Sequence, residues 1–181
     1  YNINNRSEVG GRSGLEYFPE EDNYIYTLAQ FFPRMCVYDD VEGWQNKQFL
    51  GSGEFALPFG DYKVNLSVPG DHVVAATGVL QNSSQVLTAT QRRRLDKAAS
   101  SDVPVMIITP EEALENEKSR VKSMKTWTFE AENVRDFAFA SSRKFIWDAM
   151  GVQFGSRNVL AMSYYPKEGN PLWERYSTHA V

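Results

Sequence analysis

Tyr62-Lys63-Val64-Asn65-Leu66-Ser67-Val68 sets an apolar side chain at every second position and a polar one between. Successive side chains of a strand point to opposite faces of a sheet, so this run reads as a strand with one dry face and one wet face. Tyr62, Val64, Leu66 and Val68 belong to the dry face, Lys63, Asn65 and Ser67 to the wet one. Turn formers bracket it, Phe59-Gly60-Asp61 before and Pro69-Gly70-Asp71 after. Glu54 to Pro58 reads as the strand paired with it across the first turn, and His72–Thr77 and Val79-Leu80 as strands beyond the second.

Outward from this centre, Tyr24–Gln30, Val103–Thr109, Lys125–Glu132, Asp136–Ser141, Phe145–Met150 and Val159–Tyr165 also read as short strands. Short strands at such spacing predict a mainly β chain, a β-sandwich or saddle-like sheet of antiparallel strands. Pro33 lacks a backbone donor, which places Phe32–Arg34 at an edge or a bend. Residues 5–23 read as a polar, Gly-rich loop, and residues 41–53 as an irregular loop anchored by buried Trp44 and Phe49. Residues 83–125 break the β rhythm. Thr88 with Gln91, and Thr109 with Pro110 and Glu112, are capping boxes that open two helices, running to about Ala99 and about Lys122. The second is heavily charged, with only Ala113, Leu114 and Val121 as apolar contacts, and reads as a surface element. The block 83–124 is expected to be an α-containing insertion between two strands.

The 181 residues suit one domain, or one with part of another, and 42% hydrophobic with 23% charged residues predicts a packed core. A net charge of -4 without a basic face disfavours nucleic acid as a partner, because phosphate binding needs cations to displace counterions. Cys36 is the single cysteine, so neither an intrachain disulfide nor a thiolate metal cage can form. No apolar run approaches the ~20 residues of a bilayer-spanning helix. The chain opens at Tyr1 with a strand-like alternation through Asn4, and Pro171–Val181 reads as a helix just begun. Both ends are therefore expected to be cuts within a longer chain.

No complete catalytic constellation is legible. The only histidines, His72 and His179, have no ligand spacing around them, and H-E-x-x-H is absent. His72 reads as structural, and Cys36, within Met35-Cys-Val-Tyr38, as a buried small hydrophobe. Asp39-Asp40 and Glu54 with Asp61 are candidate acid pairs, read first as turn caps. Arg92-Arg93-Arg94 reads as a solvated helix face before an anion site. Trp44, Trp127, Trp147 and Trp173 read as core before groove. Asn65-Leu-Ser67 and Asn82-Ser-Ser84 match the glycosylation acceptor pattern, which arises often by chance.

Three stretches together are more specific. Ala29–Asp40 with Gly43-Trp44, then Gly53–Phe55 through Phe59–Tyr62 to Val68-Pro69 and Val73–Gly78, and then Ala131–Ala138 resemble the N-terminal domain of aminopeptidase-N-like zinc metallopeptidases, the gluzincin aminopeptidases. The likeness is greatest to secreted or periplasmic members from Bacteroidetes-type bacteria, and it spans roughly residues 23–82 and 125–176. It implies that residues 1–170 form a β domain and that 171–181 enter a catalytic domain lying outside this chain. That domain would carry H-E-x-x-H and a further Glu on zinc, with Gly-x-Met-Glu-Asn holding the substrate's amine. No catalytic or metal-ligating residue is carried over to this chain. The family places a Gln or Glu of the β domain near the substrate's amino terminus, and Gln30 is the nearest counterpart, spaced too close to Pro33 for a clean match. The partners implied are the catalytic domain and a peptide substrate, and the location implied is periplasmic, secreted or cell-surface. A second expectation, from the aromatic content alone, is a cell-surface β-sandwich that binds carbohydrate or protein.

Overall fold

The computed structural model describes residues 3–10, 13–48, 51–52 and 55–181. Phe49, Glu54 and Tyr1-Asn2, which carry expectations above, lie outside them.

The alternating run becomes β5 (Gly60–Pro69), half-buried at Tyr62, Val64, Leu66 and Val68 and exposed at Lys63, Asn65 and Ser67. Its partner is not residues 54–58. It is β9 (Met124–Val134), antiparallel, with Val64 opposite Phe129 and Leu66 opposite Trp127. Residues 55–59 follow an irregular path, and Phe59-Gly60-Asp61 is no hairpin turn, since β5 already begins at Gly60. The choice has a physical reason. Pro58 cannot donate to a ladder, whereas β9 brings two large aromatics onto the dry face. On the wet face the same register builds a polar ladder. Lys63 meets Glu130 at 2.8 Å, Asn65 meets Thr128 at 2.8 Å and Ser67 meets Thr126 at 2.8 Å.

β7 (Val79–Leu80) pairs with the other side of β9, giving the order β5-β9-β7. Gly78 makes this approach possible. Its φ of +93° is a left-handed conformation, and a Cβ there would stand 2.4 Å from the Glu130 carbonyl oxygen. A second sheet runs β1 (Gly14–Phe18), β2 (Asn23–Leu28), β10 (Phe139–Ser142), β6 (Val73–Ala76). The strand Gly14–Phe18 and a single helical turn α1 (Arg6–Val9) lie in the segment expected to be loop. Gly14-Leu-Glu-Tyr-Phe18 is too short to show its period alone, and becomes a strand by pairing with β2. Tyr38–Asp39 (β3) and Gly43–Trp44 (β4) form a small separate hairpin.

α2 (Ser83–Val86), α3 (Ala89–Ala98) and α4 (Pro110–Ser119) fill the block 83–124. Both expected capping boxes are present, Thr88 with Gln91 and Thr109 with Glu112. The block leaves the sheet at β7 and returns at β9, two hydrogen-bonded neighbours. Between its helices, β8 (Val105–Ile108) joins a third sheet, β12-β11-β8, with β11 (Ile146–Phe154) and β12 (Arg157–Tyr165). Gly151 lets α3 close onto β11, where a Cβ would fall 2.6 Å from the Ala99 carbonyl oxygen. α4 ends at Arg120 in a left-handed cap; it buries Ala113 and Glu117 and leaves Leu114 exposed.

All strand pairs are antiparallel and the fold is mainly β and sandwich-like. Buried residues of several strands share one core: Val73 and Val74 of β6, Trp127 and Phe129 of β9, Ile107 and Ile108 of β8, and Ile146 and Trp147 of β11. Trp127 stacks on Phe129, and Trp147 on Tyr164 with centroids 4.9 Å apart. Residues 171–181 do not form an α-helix; they run through turns into a short 3-10 helix, Tyr176–His179. Among the described residues no helix is long and apolar enough to cross a membrane.

Candidate functional site

Three stretches far apart in sequence, 29–40, 55–78 and 131–138, meet at Arg34. Its guanidinium lies 3.1 Å from the Asp136 carboxylate and donates to the Pro58 carbonyl at 3.2 Å. It faces the rings of Phe32 and Tyr62 at 5.8 and 5.9 Å. Phe32 meets Tyr62 edge-on, Tyr62 lies against buried Phe137, and Phe31 meets Phe139 edge-on at 5.4 Å. The Asn133 amide donates to Asp61, and the Ala138 amide to the Thr77 hydroxyl. Pro33 thus sits where the chain leaves β2 and bends across the ends of β5 and β9 without extending the sheet.

Beside Arg34 a cleft of about 260 Å³ is lined by Gln30, Phe32, Gln45, Leu57 and Asp136 among others. Gln30 stands two residues beyond β2 with φ +52°, a left-handed conformation that a non-glycine residue adopts at a cost. The cleft combines amides, a paired cation and anion, Lys47, the exposed Cys36 thiol and apolar walls. Such a set can hold a polar chain end, and no histidine lines it to serve the thiol as a base.

The other sequence candidates resolve one by one. Cys36 is exposed, not a buried hydrophobe, because the segment around it forms no strand that could turn it inward. Trp44 is 59% exposed and packs edge-on against equally exposed Tyr38, so the loop is not anchored by it; β4 is two residues long and has no second layer over it. Trp173 is also exposed, whereas Trp127 and Trp147 are buried. Asp39 caps a turn, accepting from the Val41 and Glu42 amides and the Gln45 side chain. The arginines of α3 do not form a free basic face. Arg92 donates to the Leu87 and Ser84 carbonyls, and Arg94 to the Ile107 carbonyl and Glu112.

Among the described residues His72 and Ser141 make the one contact with the look of a base and a nucleophile, Nδ1 to Oγ at 2.8 Å. Both residues are buried, and burial lowers the His72 pKa to about 4. Asp71 beside it is committed elsewhere. Burial pushes its carboxyl up, but the Arg143 guanidinium at 2.9 Å, the Val121 amide and the Ser119 hydroxyl outweigh that and hold it low. A nucleophile needs access, so this pair is structural. Among the described residues no three His, Cys, Asp or Glu side chains stand together to hold a metal ion, so the zinc implied by the resemblance has no ligands among them.

Comparison with family models, curated proteins and solved structures gives no match.

Two features escaped the sequence reading. A cleft of about 820 Å³ opens between β6, β10 and β12, walled by Val74, Ala76, Phe139, Leu160 and Tyr164 among others, and β12 pairs only with β11 among the described residues. Lys144, fully buried, contacts Glu168 at 2.8 Å, Glu117 at 3.1 Å and Glu21 at 3.2 Å. Lys167 contacts the same three carboxylates. The only hint in sequence is a charged pair, Arg143-Lys144, abutting the apolar run Phe145-Ile-Trp147.

Proposed function

We propose that this chain is the non-catalytic β domain of a zinc aminopeptidase, walling a cleft whose reacting groups lie on a catalytic domain outside these residues. The observation that supports the reading is the convergence at Arg34. Three stretches that together resemble this family meet through one ion pair, one backbone hydrogen bond and a nest of rings. Gln30, on the rim of the adjoining cleft, is the residue proposed to stand near the substrate's free amine. The open edge of β12 above an apolar cleft offers a surface on which a further domain can pack. In this reading zinc and the peptide substrate belong to the assembled protein, which acts in the periplasm or outside the cell.

The test joins the chain to the sequence that continues its reading frame and assays aminoacyl-anilide hydrolysis with metal analysis. Zinc-dependent turnover is expected from the longer protein and not from the 181 residues alone. Gln30→Ala is expected to raise KM for substrates with a free amine more than it lowers kcat. Stoichiometric zinc and turnover in the 181-residue chain itself, or a continuation lacking H-E-x-x-H, would overturn the proposal.

One observation favours a second reading, a binding module. Tyr38 and Trp44 present an exposed aromatic pair, centroids 5.2 Å apart, on the β3–β4 hairpin. Burial of Trp127 and Trp147 leaves that pair without the row of aromatics a sugar platform needs. Quenching of Trp44 fluorescence by oligosaccharides, abolished in Trp44→Ala, would favour this second reading over the first.

A further inference from the structure

Asp148 stands in the middle of β11, with its side chain fully buried and neither carboxylate oxygen in a hydrogen bond of good geometry. In the β11–β12 register it lies opposite Ser163. Ser163 in turn meets Ser177 hydroxyl to hydroxyl at 3.1 Å, and Ser177 is fully buried. Tyr165, two residues further along β12 and also buried, accepts from the Arg175 amide at 3.4 Å. The 3-10 helix Tyr176–His179 therefore lies over a group of one carboxyl and three hydroxyls, beside a cleft of about 390 Å³ that Ser163 and Tyr165 also line.

We propose that Asp148 is a proton-operated latch that seats residues 175–179 on the β11–β12 hairpin, closed when the carboxyl carries its proton. A buried carboxylate without strong donors is costly, while a carboxylic acid needs only one acceptor and supplies a donor itself. The hydroxyls of Ser177 and Tyr165 and the Ser177 amide act on the group and favour its charged form; burial acts the other way and is the larger effect, so its pKa is raised. No charged side chain is among the groups that act on it. β8 (Val105–Ile108) brings no titratable group to β11, β12 brings Tyr164 and Tyr165, and the seated segment brings Arg175, Tyr176 and His179 with Glu174 at its border, Glu174 acting on Tyr165. The charged helices α3 and α4 also pack on β11, and none of their side chains is among the groups that act on Asp148. A carboxyl whose pKa is higher seated than released strengthens seating at low pH, and that gain is lost as pH rises through the seated value. The latch lies apart from the Arg34 cleft and does not depend on the reading given to that cleft.

Amide hydrogen exchange of residues 175–179, corrected for intrinsic rates, tests it between about pH 4.5 and about pH 8. Protection is expected to fall as pH rises, by up to about tenfold per pH unit near the transition. Asp148→Asn is expected to remove that dependence and to keep protection at or above the wild-type level. Carbon-13 NMR titration of the Asp148 carboxyl keeps the test independent of whether the variant folds. Protection that stays flat with pH in the wild type, an Asp148→Asn variant as pH-sensitive as the wild type, or a carboxyl titrating at or below the ordinary aspartate range overturns the latch.

Discussion

Replacing Lys144 by Met should cost this protein a large part of its stability. The methionine preserves the aliphatic stem, including its place beside the Phe18 ring, over which the ammonium now sits at 4.7 Å. It removes the charge at the centre of Glu21, Glu117 and Glu168. Three carboxylates then share Lys167 alone, in a site where Glu117 is only 5% exposed. Removing one partner of a buried pair typically costs about 3–5 kcal/mol, because the charge left behind keeps its desolvation penalty. Against a usual total of ~5–15 kcal/mol, that is enough to move a urea midpoint far outside error. The pH dependence sharpens the test. The Lys167 ammonium, with help from Lys144, holds the Glu21 carboxyl below its ordinary range against the opposing effect of burial. A depressed carboxylate stabilises above its unfolded pKa and ceases to do so as pH falls through its folded value. The gap between wild type and Lys144→Met should therefore be full at about pH 7 and shrink below about pH 4, where carboxylates take up protons. A gap under about 1 kcal/mol at about pH 7, or one of equal size at about pH 3, would refute this account of the cluster.

Three further outcomes follow from the same structure. His72 is buried with a pKa of about 4, so the unfolded chain binds a proton more readily than the folded one; stability should fall as pH drops from about 6.5 towards 4, by up to about 3 kcal/mol. His72→Gln should flatten that part of the urea-midpoint profile, and an unchanged slope would place the loss elsewhere. Thr109→Ala removes the acceptor for the Glu112 amide and should lower stability by about 1 kcal/mol, read as a drop in Tm by calorimetry; no change would mean the α4 cap carries no load. Trp127→Ala should cost about 3–5 kcal/mol and Trp44→Ala less than about 0.5, a contrast that denaturant melts of the two variants would expose if the burial of either ring were misplaced.

Local rules were legible where the responsible atoms are close in sequence. The alternation of Tyr62–Val68 named both faces of β5, and the Thr88 and Thr109 boxes opened α3 and α4 at the right residues. Pairing was not legible. β5 chose β9, far onward in the chain, over the adjacent residues 55–59, since what decides between them is the area buried by Phe129 and Trp127. Side-chain type misled at Cys36 and Trp44. Both are apolar, but their segment has no second layer to cover it. Gln30 could be singled out, but its place on the Arg34 cleft could not, because that cleft is closed by Asp136 arriving from a distant stretch of chain. Asp148 and Lys144 gave no motif at all. A buried charge is defined by its surroundings, and those come from separate stretches of chain.

The Lys144 cluster also bears on how the molecule comes apart. Glu21 lies in the turn between β1 and β2, Glu117 on α4, Lys144 before β11 and Lys167-Glu168 after β12. Loosening any one of these stretches strands charges that the others have already desolvated, so none can fray at low cost while the rest stay folded. The 83–124 block is tied into this node by Glu117 as well as into the third sheet by β8. Opening of the block and opening of the β1–β2 turn should accordingly be one event, with shared exchange rates, since Arg120, just beyond α4, also donates to Asn23 and to the Glu21 carbonyl and so ties the same two segments together.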